Sequence, residues 1–261
     1  VVAMAPGETG DMDAVKEMKL AAKANETLAG LVEKYPGRFA GYTTLPLQDP
    51  DAAVREFERA VKELGLKGPL IYAGHSGGYL DENRYWGIYE TAERLDLPIY
   101  IHPGTIMPDM SKPYMTYPIL SYAMWGFAAA TGLHAMRLIL SGVFDKYPRL
   151  KIMLGHMGEG IPFWLWRTDK HWVLDRAMVG EGSPGTGLKK KPSEYFRENF
   201  YITTSGMYWE PVFSFVNSVL GPDRILFAAD YPPESALEAS QFIDSVQLSV
   251  MDREKICYSN A

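Results

Sequence analysis

The segment KIMLGHMGEGIPFWLWRTDKHW, residues 151–172, brings an imidazole, a carboxylate and a guanidinium into a short stretch of chain. An apolar, strand-like run ends at His156, a glycine-flanked turn carries Glu159, and an aromatic-rich stretch carries Arg167. Imidazole and carboxylate groups bind divalent metal ions or move protons, and a guanidinium binds a carboxylate through two hydrogen bonds. These residue types and their spacing indicate a catalytic site at the end of a strand.

Three apolar runs of the chain end in a potential metal ligand. PIYIHPG supplies His102, KIMLGHMGE supplies His156 and ILFAADYP supplies Asp230. Each residue alone has a structural interpretation, as a hydrogen-bonded histidine or as a helix N-cap, a role that Ser235 could also fill. Their occurrence at three strand ends predicts instead a shared site for one divalent metal ion, zinc or manganese.

Other candidate site residues also leave two interpretations open. Glu159 either caps the next helix or holds the second imidazole nitrogen and moves protons. Arg167 either binds a substrate carboxylate or forms a surface salt bridge. Trp125 and Phe163 either pack in the core or stack on a substrate ring. His75 lies in a glycine-rich loop and is a candidate substrate contact.

The helices and strands that must position these residues are predicted from the spacing of apolar residues, which alternates along the chain between a helical and a β pattern. Helical spacing is clearest in DPDAAVREFERAVKELGL, residues 49–66, where Asp49 or Asp51 is suited to the N-cap. Seven β-rich apolar runs are predicted to be strands: 1–5, 39–45, 68–72, 98–102, 150–156, 200–205 and 224–230. Alternating strands and helices predict an α/β fold with a parallel sheet.

A TIM-like (β/α)8 barrel without its first strand fits seven strands better than the alternative, a doubly wound open sheet. All strand carboxyl ends of such a barrel open on one face, where active sites are built. The 261 residues show no linker or repeat, so one domain over residues 1–261 is expected. His134 lies on an apolar helical stretch and suits a core or a pocket equally.

Composition excludes several classes of function. A net charge of −6 argues against a nucleic-acid partner, and no apolar stretch has the length of a membrane span. The single cysteine, Cys257, excludes an internal disulfide framework and is expected to be a buried thiol in a cytoplasmic protein. No glycine-rich phosphate loop follows a strand. Ser205 lacks the flanking pattern of a nucleophilic serine.

Four segments resemble the amidohydrolase-2 family of metal-dependent (β/α)8 enzymes: YLDENRYWGIYETAERLDLPIYIHP, LHAMRLILSGVFDKYPRLKIMLGHMGEGIPFWLWRTD, YITTSG and DRILFAADYP. Within the family they are most similar to nonoxidative aromatic acid decarboxylases of the dihydroxybenzoate and 5-carboxyvanillate types. Because family members begin with a strand that carries further ligands, the chain is expected to lack that first strand. It is also expected to lack the last part of the C-terminal helical region.

The resemblance implies a role for each site residue. His102 and Asp230 match the family's metal ligands, His156 and Glu159 match the GHMGE motif of the active site, and Arg167 matches a substrate-carboxylate contact. The implied reaction is decarboxylation of an ortho-hydroxybenzoate held by the metal ion, with Asp230 as the proton donor to the ring carbon. Two alternatives to a decarboxylase stay open. One is a metal-dependent hydrolase or hydratase of the same superfamily, and the other is a truncated barrel without catalytic activity.

The resemblance also implies subunit association, since relatives form dimers or tetramers. The segment YPILSYAMWGFAAA, residues 117–130, offers an apolar surface for a homodimer or homotetramer. The remaining expected partner is a small aromatic acid.

Overall fold

The computed structural model of the protein describes residues 1–3, 12–74, 78–104 and 106–261. Within these residues the chain forms two compact units, residues 1–151 and residues 152–261. Helices and strands alternate along each unit, as the sequence predicts for an α/β fold. The single domain over residues 1–261 stays a prediction.

The described residues of the first unit form three strands and six helices. They are α1 (Ala14–Lys34), β1 (Tyr42–Thr43), α2 (Pro50–Lys62), β2 (Lys67–Tyr72), α3 (Trp86–Leu95), β3 (Ile99–His102), α4 (Pro108–Ser111), α5 (Gly126–Ser141) and α6 (Val143–Lys146). The strands are parallel, β1 beside β2 and β2 beside β3. Tyr72 lies opposite His102, so β2 and β3 end at the same edge.

The second unit repeats the pattern with three strands and five helices among the residues described. They are β4 (Ile152–Leu154), α7 (Ile161–Val179), α8 (Pro192–Asn199), β5 (Phe200–Thr203), α9 (Glu210–Leu220), β6 (Ile225–Leu226), α10 (Ala236–Ser245) and α11 (Val250–Glu254), followed by a π-helical turn, Lys255–Ser259. Leu154 lies opposite Ile202, and Thr203 lies opposite Leu226. The carboxyl ends of β4, β5 and β6 therefore meet at one edge, where polar residues follow all three strands.

Helix α2 shows how the sequence specifies its own local structure. The Asp49 side chain accepts a hydrogen bond from the Ala52 amide at 2.9 Å, and Pro50 occupies the first turn. Asp49 rather than Asp51 is therefore the N-cap. Phe57 on the apolar face of this helix is fully buried, so the predicted amphipathic pattern is confirmed.

Of the described strands, all except β2 are shorter than the apolar runs that predict them, and β2 begins one residue earlier than its run. Val2 forms one parallel bridge with Gly41, and part of the run at residues 1–5 lies outside the described residues. The run at 224–230 forms a strand only over Ile225–Leu226, because the Phe227 amide then bonds the Ile256 carbonyl and side chains bond the two residues that follow.

The structure bears on two expectations from composition, the burial of Cys257 and the absence of a membrane-spanning segment. Cys257, expected to be buried, is exposed, because the π-helical turn at Lys255–Ser259 buries Ile256 instead. Over the described part of the chain, no helix combines the length and the apolar character that crossing a membrane requires.

His134 on α5 is buried in the first unit, where it also lines a small cavity. Its side chain is 1% exposed, both ring nitrogens lack a hydrogen-bond partner among the described residues, and the ring packs on Tyr79 at 5.0 Å. Burial disfavours the charged imidazole, and it lowers the pKa of His134 from 6.5 to about 4. His134 is therefore neutral at physiological pH.

This burial predicts a pH-dependent loss of stability. As the pH falls below 6.5 the unfolded chain binds a proton that the folded chain does not accept until about pH 4. The free energy of unfolding should therefore fall by about 3 kcal/mol across that window because of His134 alone. Urea unfolding between pH 7 and pH 4 should show that His134→Phe removes this part of the dependence. An unchanged dependence in that variant would contradict the assignment, and His171→Phe, which removes a 37% exposed side chain, is the control.

Candidate active site

The turn that follows β4 has an unusual backbone. His156, Met157 and Glu159 have φ angles of 49°, 56° and 55°, and Gly158 and Gly160 have φ angles of 82° and 78°. Five consecutive residues are thus left-handed, which costs roughly 1–2 kcal/mol for each residue other than glycine. Backbone strain of this kind concentrates at functional sites. The two glycines confine the strain to three residues.

The left-handed turn brings His156 and Glu159 together. Residues three apart in a 3-10 turn lie directly above one another, and the turn spans His156–Gly158 with Glu159 as its C-cap. His156 Nδ1 donates to Glu159 Oε1 at 2.7 Å. The Glu159 side chain is only 1% exposed, and its Oε2 has no hydrogen-bond partner within the described residues. Glu159 therefore fixes the orientation of the imidazole.

Asp230 approaches the other nitrogen of the same imidazole. His156 Nε2 lies 3.4 Å from Asp230 Oδ2, and the two side chains are 23% and 26% exposed. Asp230 follows β6 in a left-handed conformation with φ of 58°. It does not cap α10, since the Ser235 hydroxyl accepts the capping hydrogen bond from Glu238. Ser235, and not Asp230, is therefore the N-cap of α10.

The two carboxylates set the charge of His156. Burial on its own would lower the pKa of this imidazole. The hydrogen bonds and negative charges of Asp230 and Glu159 outweigh that penalty and raise the pKa to about 10. In this arrangement the imidazole is protonated at neutral pH and carries a proton toward each carboxylate.

The segment after β5 packs against His156 from the side. Ser205 Oγ lies 2.7 Å from Thr203 Oγ1 and accepts a long hydrogen bond from the His156 amide at 3.5 Å. Gly206 has a φ of 61°, and a Cβ at this position would lie 2.9 Å from Cδ2 of the His156 ring. Only glycine leaves room for the imidazole in this position. Ser205 thus supports the turn and is not aligned as a nucleophile by any observed base.

His102 ends β3 in the first unit. Its Nδ1 lies 2.9 Å from the Pro103 carbonyl oxygen, and its ring contacts Tyr72 edge-on at 4.9 Å. A carbonyl oxygen can only accept, so Nδ1 carries a proton, and in the neutral tautomer that this bond selects the lone pair is on Nε2. This is the tautomer of a metal-ligating histidine whose orientation is fixed by a backbone carbonyl.

The donor types fit a zinc or manganese ion, which accepts imidazole nitrogen and carboxylate oxygen. Asp230 has a partly exposed carboxylate, and His102 has an imidazole whose Nδ1 bonds a backbone carbonyl. Within the described residues, no group of three or more histidine, cysteine, aspartate or glutamate side chains has the spacing of a complete metal site. The predicted ligand set of His102, His156 and Asp230 stays a prediction.

The predicted substrate contacts occupy different positions. Arg167 is an exposed residue of α7. Phe163, 70% exposed at the start of α7, contacts Trp164 and Phe215. Trp125, 61% exposed, precedes α5. His75 lies outside the described residues. All four stay candidates for substrate binding.

Sequence reasoning did not assign a role to three residues near this site: Thr204, Gly206 and Tyr208. The signal was the sequence TTSG directly after an apolar run, at the same predicted edge as the histidine and aspartate. From local spacing alone, this sequence suggests only a nucleophilic serine.

Comparison with known proteins identifies the family. The sequence profile of the amidohydrolase family (Amidohydro_2) matches residues 1–261. A gamma-resorcylate decarboxylase from Polaromonas sp. (strain JS666) is 40% identical over 98% of this chain and 79% of the relative. The chain therefore belongs to the amidohydrolase family.

Two solved structures are also similar to this chain. The 5-carboxyvanillate decarboxylase from Sphingomonas paucimobilis matches with a TM-score of 0.93 and 38% identity over 100% of this chain and 76% of its own. A dihydroxybenzoic acid decarboxylase from Polaromonas sp. JS666, with bound manganese and the inhibitor 2-nitroresorcinol, matches with a TM-score of 0.89 and 40% identity over 98% and 78%. These matches confirm the predicted fold class, α/β with the strand–helix order of a (β/α)8 barrel.

The close approach of Gly206 to the imidazole predicts the effect of adding one methyl group. Gly206→Ala should lower the free energy of unfolding by about 1–2 kcal/mol, because alanine disfavours a left-handed backbone, and should also displace the His156 ring. Urea unfolding and the NMR signals of the histidine rings measure the two effects. Gly187→Ala, at a glycine with no atom near its Cβ position, is the control. Unmoved His156 signals in Gly206→Ala would show that the contact does not position the ring.

Proposed function

We propose that this protein is a metal-dependent decarboxylase that releases CO2 from an aromatic acid of the ortho-hydroxybenzoate type without oxidation. The observation that carries the proposal is the contact of His156 with Glu159 and Asp230 at the carboxyl edge of β4, β5 and β6. Relatives about 40% identical over nearly the whole chain carry the names of such decarboxylases. The chain is thus an enzyme of the carboxy-lyase class.

One divalent metal ion, manganese or zinc, is the cofactor of this reaction. His102 Nε2 and the Asp230 carboxylate are the donors that we assign to it. When bound, the ion would supply Lewis acidity to the phenolate and carboxylate of the substrate. His156 has only Nε2 left for such a bond, because Glu159 occupies Nδ1. We therefore assign His156 to proton transfer, and its role as a third ligand stays a prediction.

The chain's own residues move the proton that the reaction consumes. Asp230, once protonated, gives its proton to the ring carbon that bears the carboxylate. The bond between that carbon and the carboxylate then breaks, its electron pair restores the aromatic ring, and CO2 leaves. His156 Nε2, 3.4 Å from Asp230 Oδ2, is within reach to return a proton to the carboxylate.

Glu159 and Arg167 have separate roles in this proposal. Glu159 holds the imidazole through Nδ1 and offsets its positive charge within the buried turn. We assign Arg167, which is exposed on α7, to pair with a carboxylate of the substrate, because a guanidinium can bind a carboxylate through two hydrogen bonds. His75, Trp125 and Phe163 complete the proposed substrate contacts.

Replacement of the imidazole tests the assignment directly. His156→Asn should lower kcat for CO2 release by 100-fold or more, as expected for loss of a group that transfers protons, and should leave the circular dichroism spectrum unchanged. The assay measures CO2 from 2,6-dihydroxybenzoate and 5-carboxyvanillate with added Mn²⁺. His171→Asn, at a histidine on α7, is the matched control and should keep full activity.

The same assay separates the proposal from its alternatives. Benzoate lacks the hydroxyl group beside the carboxylate and should release no CO2. Hydrolysis of lactones or amides without any CO2 release from hydroxybenzoates would assign the protein to the hydrolases of its family instead. Unchanged CO2 release by His156→Asn would remove the imidazole from the mechanism.

We also propose that the protein is a homodimer or homotetramer. One exposed apolar area, the α7 surface, consists of Trp164, Trp166, Val173, Leu174, Met178 and Val179, each more than half exposed. Its two tryptophan side chains alone expose roughly 300 Å², since a large aromatic side chain that is fully exposed presents about 250 Å². Monomers rarely expose apolar patches beyond a few hundred Å².

A second exposed apolar area is available if the assembly is a tetramer. Within the predicted segment 117–130, Tyr117, Ile119, Tyr122, Met124 and Trp125 are each more than 60% exposed. A dimer needs one such surface, and a tetramer with two kinds of interface needs both. A reducing cytoplasm remains the compartment that we propose for the assembly, with the aromatic acid as its small-molecule partner.

Introducing a charge into the α7 surface tests the association. Trp166→Glu should reduce the sedimentation coefficient of the protein to that of a smaller assembly, because a carboxylate would be buried without a partner. Trp209→Glu, at a tryptophan that is 62% exposed outside this surface, is the control and should sediment like the wild type. A wild-type protein that sediments as a monomer at micromolar concentration would contradict the proposal.

A further inference from the structure

Between β6 and Asp230, the Phe227 amide donates to the Ile256 carbonyl at 2.8 Å, and side chains bond the next two residues. The backbone pairing of β5 and β6 ends where the Thr204 amide donates to the Leu226 carbonyl at 3.1 Å. Beyond this point the fully buried Thr204 hydroxyl donates to the Ala228 carbonyl at 3.0 Å and accepts from the Ala228 amide at 3.1 Å. One hydroxyl thus satisfies both backbone groups of Ala228.

The next peptide group is bonded by a tyrosine of the same segment. The Tyr208 hydroxyl donates to the Ala229 carbonyl at 2.5 Å, and its ring packs against Phe242 of α10 with centroids 5.9 Å apart. Asp230 follows directly, in its left-handed conformation. Thr204 and Tyr208 therefore fix the two residues before Asp230. Neither side chain forms an observed hydrogen bond with His156 or Glu159.

The same segment also contacts the imidazole. Ser205 accepts from the His156 amide, and Gly206 lies against the His156 ring. Residues 204–208 therefore contact both members of the pair. Thr204 and Tyr208 bond the backbone before Asp230, and Ser205 and Gly206 contact His156. A shift of this segment would change the separation of Asp230 Oδ2 and His156 Nε2.

We propose that Thr204 and Tyr208 are positioning residues for Asp230. They clamp Ala228 and Ala229 so that the Asp230 carboxylate stays at one distance from His156 and keeps one direction as a metal ligand. The inference deepens the proposed function and rests on it, since Asp230 is the ligand and proton donor of that proposal. In this proposal both residues act on Asp230 through the backbone of Ala228 and Ala229.

Removal of one hydroxyl tests the clamp. Thr204→Val keeps the shape of the side chain and leaves both backbone groups of Ala228 without their partner. It should weaken Mn²⁺ binding about 10-fold to 100-fold, the usual effect of losing a group that orients a metal ligand. Isothermal titration of the metal-free protein with Mn²⁺ gives the dissociation constant. Thr204→Ser keeps the hydroxyl and should restore wild-type affinity to within a few-fold.

A matched variant separates positioning from general destabilisation. Thr43 in β1 is also fully buried, and its hydroxyl donates to the Lys67 carbonyl of the neighbouring strand at 2.7 Å. Thr43→Val therefore loses a similar bond far along the chain from Asp230. It should lower the unfolding temperature as Thr204→Val does, and it should leave Mn²⁺ affinity and kcat as they are in the wild type.

A second variant keeps the test valid if Thr204→Val does not fold. Tyr208→Phe removes only the hydroxyl that bonds Ala229, at a partly exposed position. It should weaken Mn²⁺ binding in the same direction and lower kcat more than it changes KM, because the acid is misplaced and the substrate contacts are kept. Wild-type Mn²⁺ affinity in both Tyr208→Phe and any folded Thr204→Val would overturn the proposal.

Metal binding also distinguishes failure of the clamp from failure of the proposed function. If the wild type binds Mn²⁺ but releases no CO2 from any aromatic acid, the reaction is wrong, and the affinities of the variants still decide the clamp. If the wild type does not bind Mn²⁺, Asp230 is not a ligand and the clamp proposal is overturned as well. Weakened binding in both variants, with recovery in Thr204→Ser, supports it.

Discussion

The contact of one imidazole with two carboxylates is the interaction on which the proposed chemistry depends. His156 meets Glu159 at 2.7 Å through one nitrogen and Asp230 at 3.4 Å through the other. Glu159 is almost fully buried and Asp230 is partly exposed. The same ring is therefore anchored on its inner side and available for proton transfer on its outer side.

This contact is maintained against a cost in backbone conformation. His156, Met157, Glu159 and Asp230 all have left-handed φ angles, and each costs roughly 1–2 kcal/mol relative to an ordinary conformation. A hydrogen bond between charged groups contributes about 1.5–3 kcal/mol, and a neutral one about 1 kcal/mol. The bonds of His156 to the carboxylates, and those of Thr204 and Tyr208 to the backbone before Asp230, are of the size needed to offset this strain.

Much of the framework was predictable from the sequence because it depends on local patterns. The apolar stripe and the Asp49–Pro50 start of α2 specify that helix without reference to the rest of the chain. The apolar runs likewise predicted β2 to β6, each at a position that the structure confirms within a few residues. Strand ends were less predictable, since they depend on which groups bond the backbone, as the short β6 shows.

For the candidate site, the sequence by itself determined the residue types: an imidazole and a carboxylate three positions apart in a glycine-flanked turn, and an aspartate after a later apolar run. Those choices follow from short-range spacing and from the rule that parallel strands end at one edge. Only the tertiary structure decided which side chains meet and which residues hold them. Thr204, Gly206 and Tyr208 act through contacts with residues more than twenty positions away or through the space that a missing side chain leaves. Local sequence periodicity predicts neither a long-range contact nor a space left by a missing side chain. Both are therefore known only from the tertiary structure.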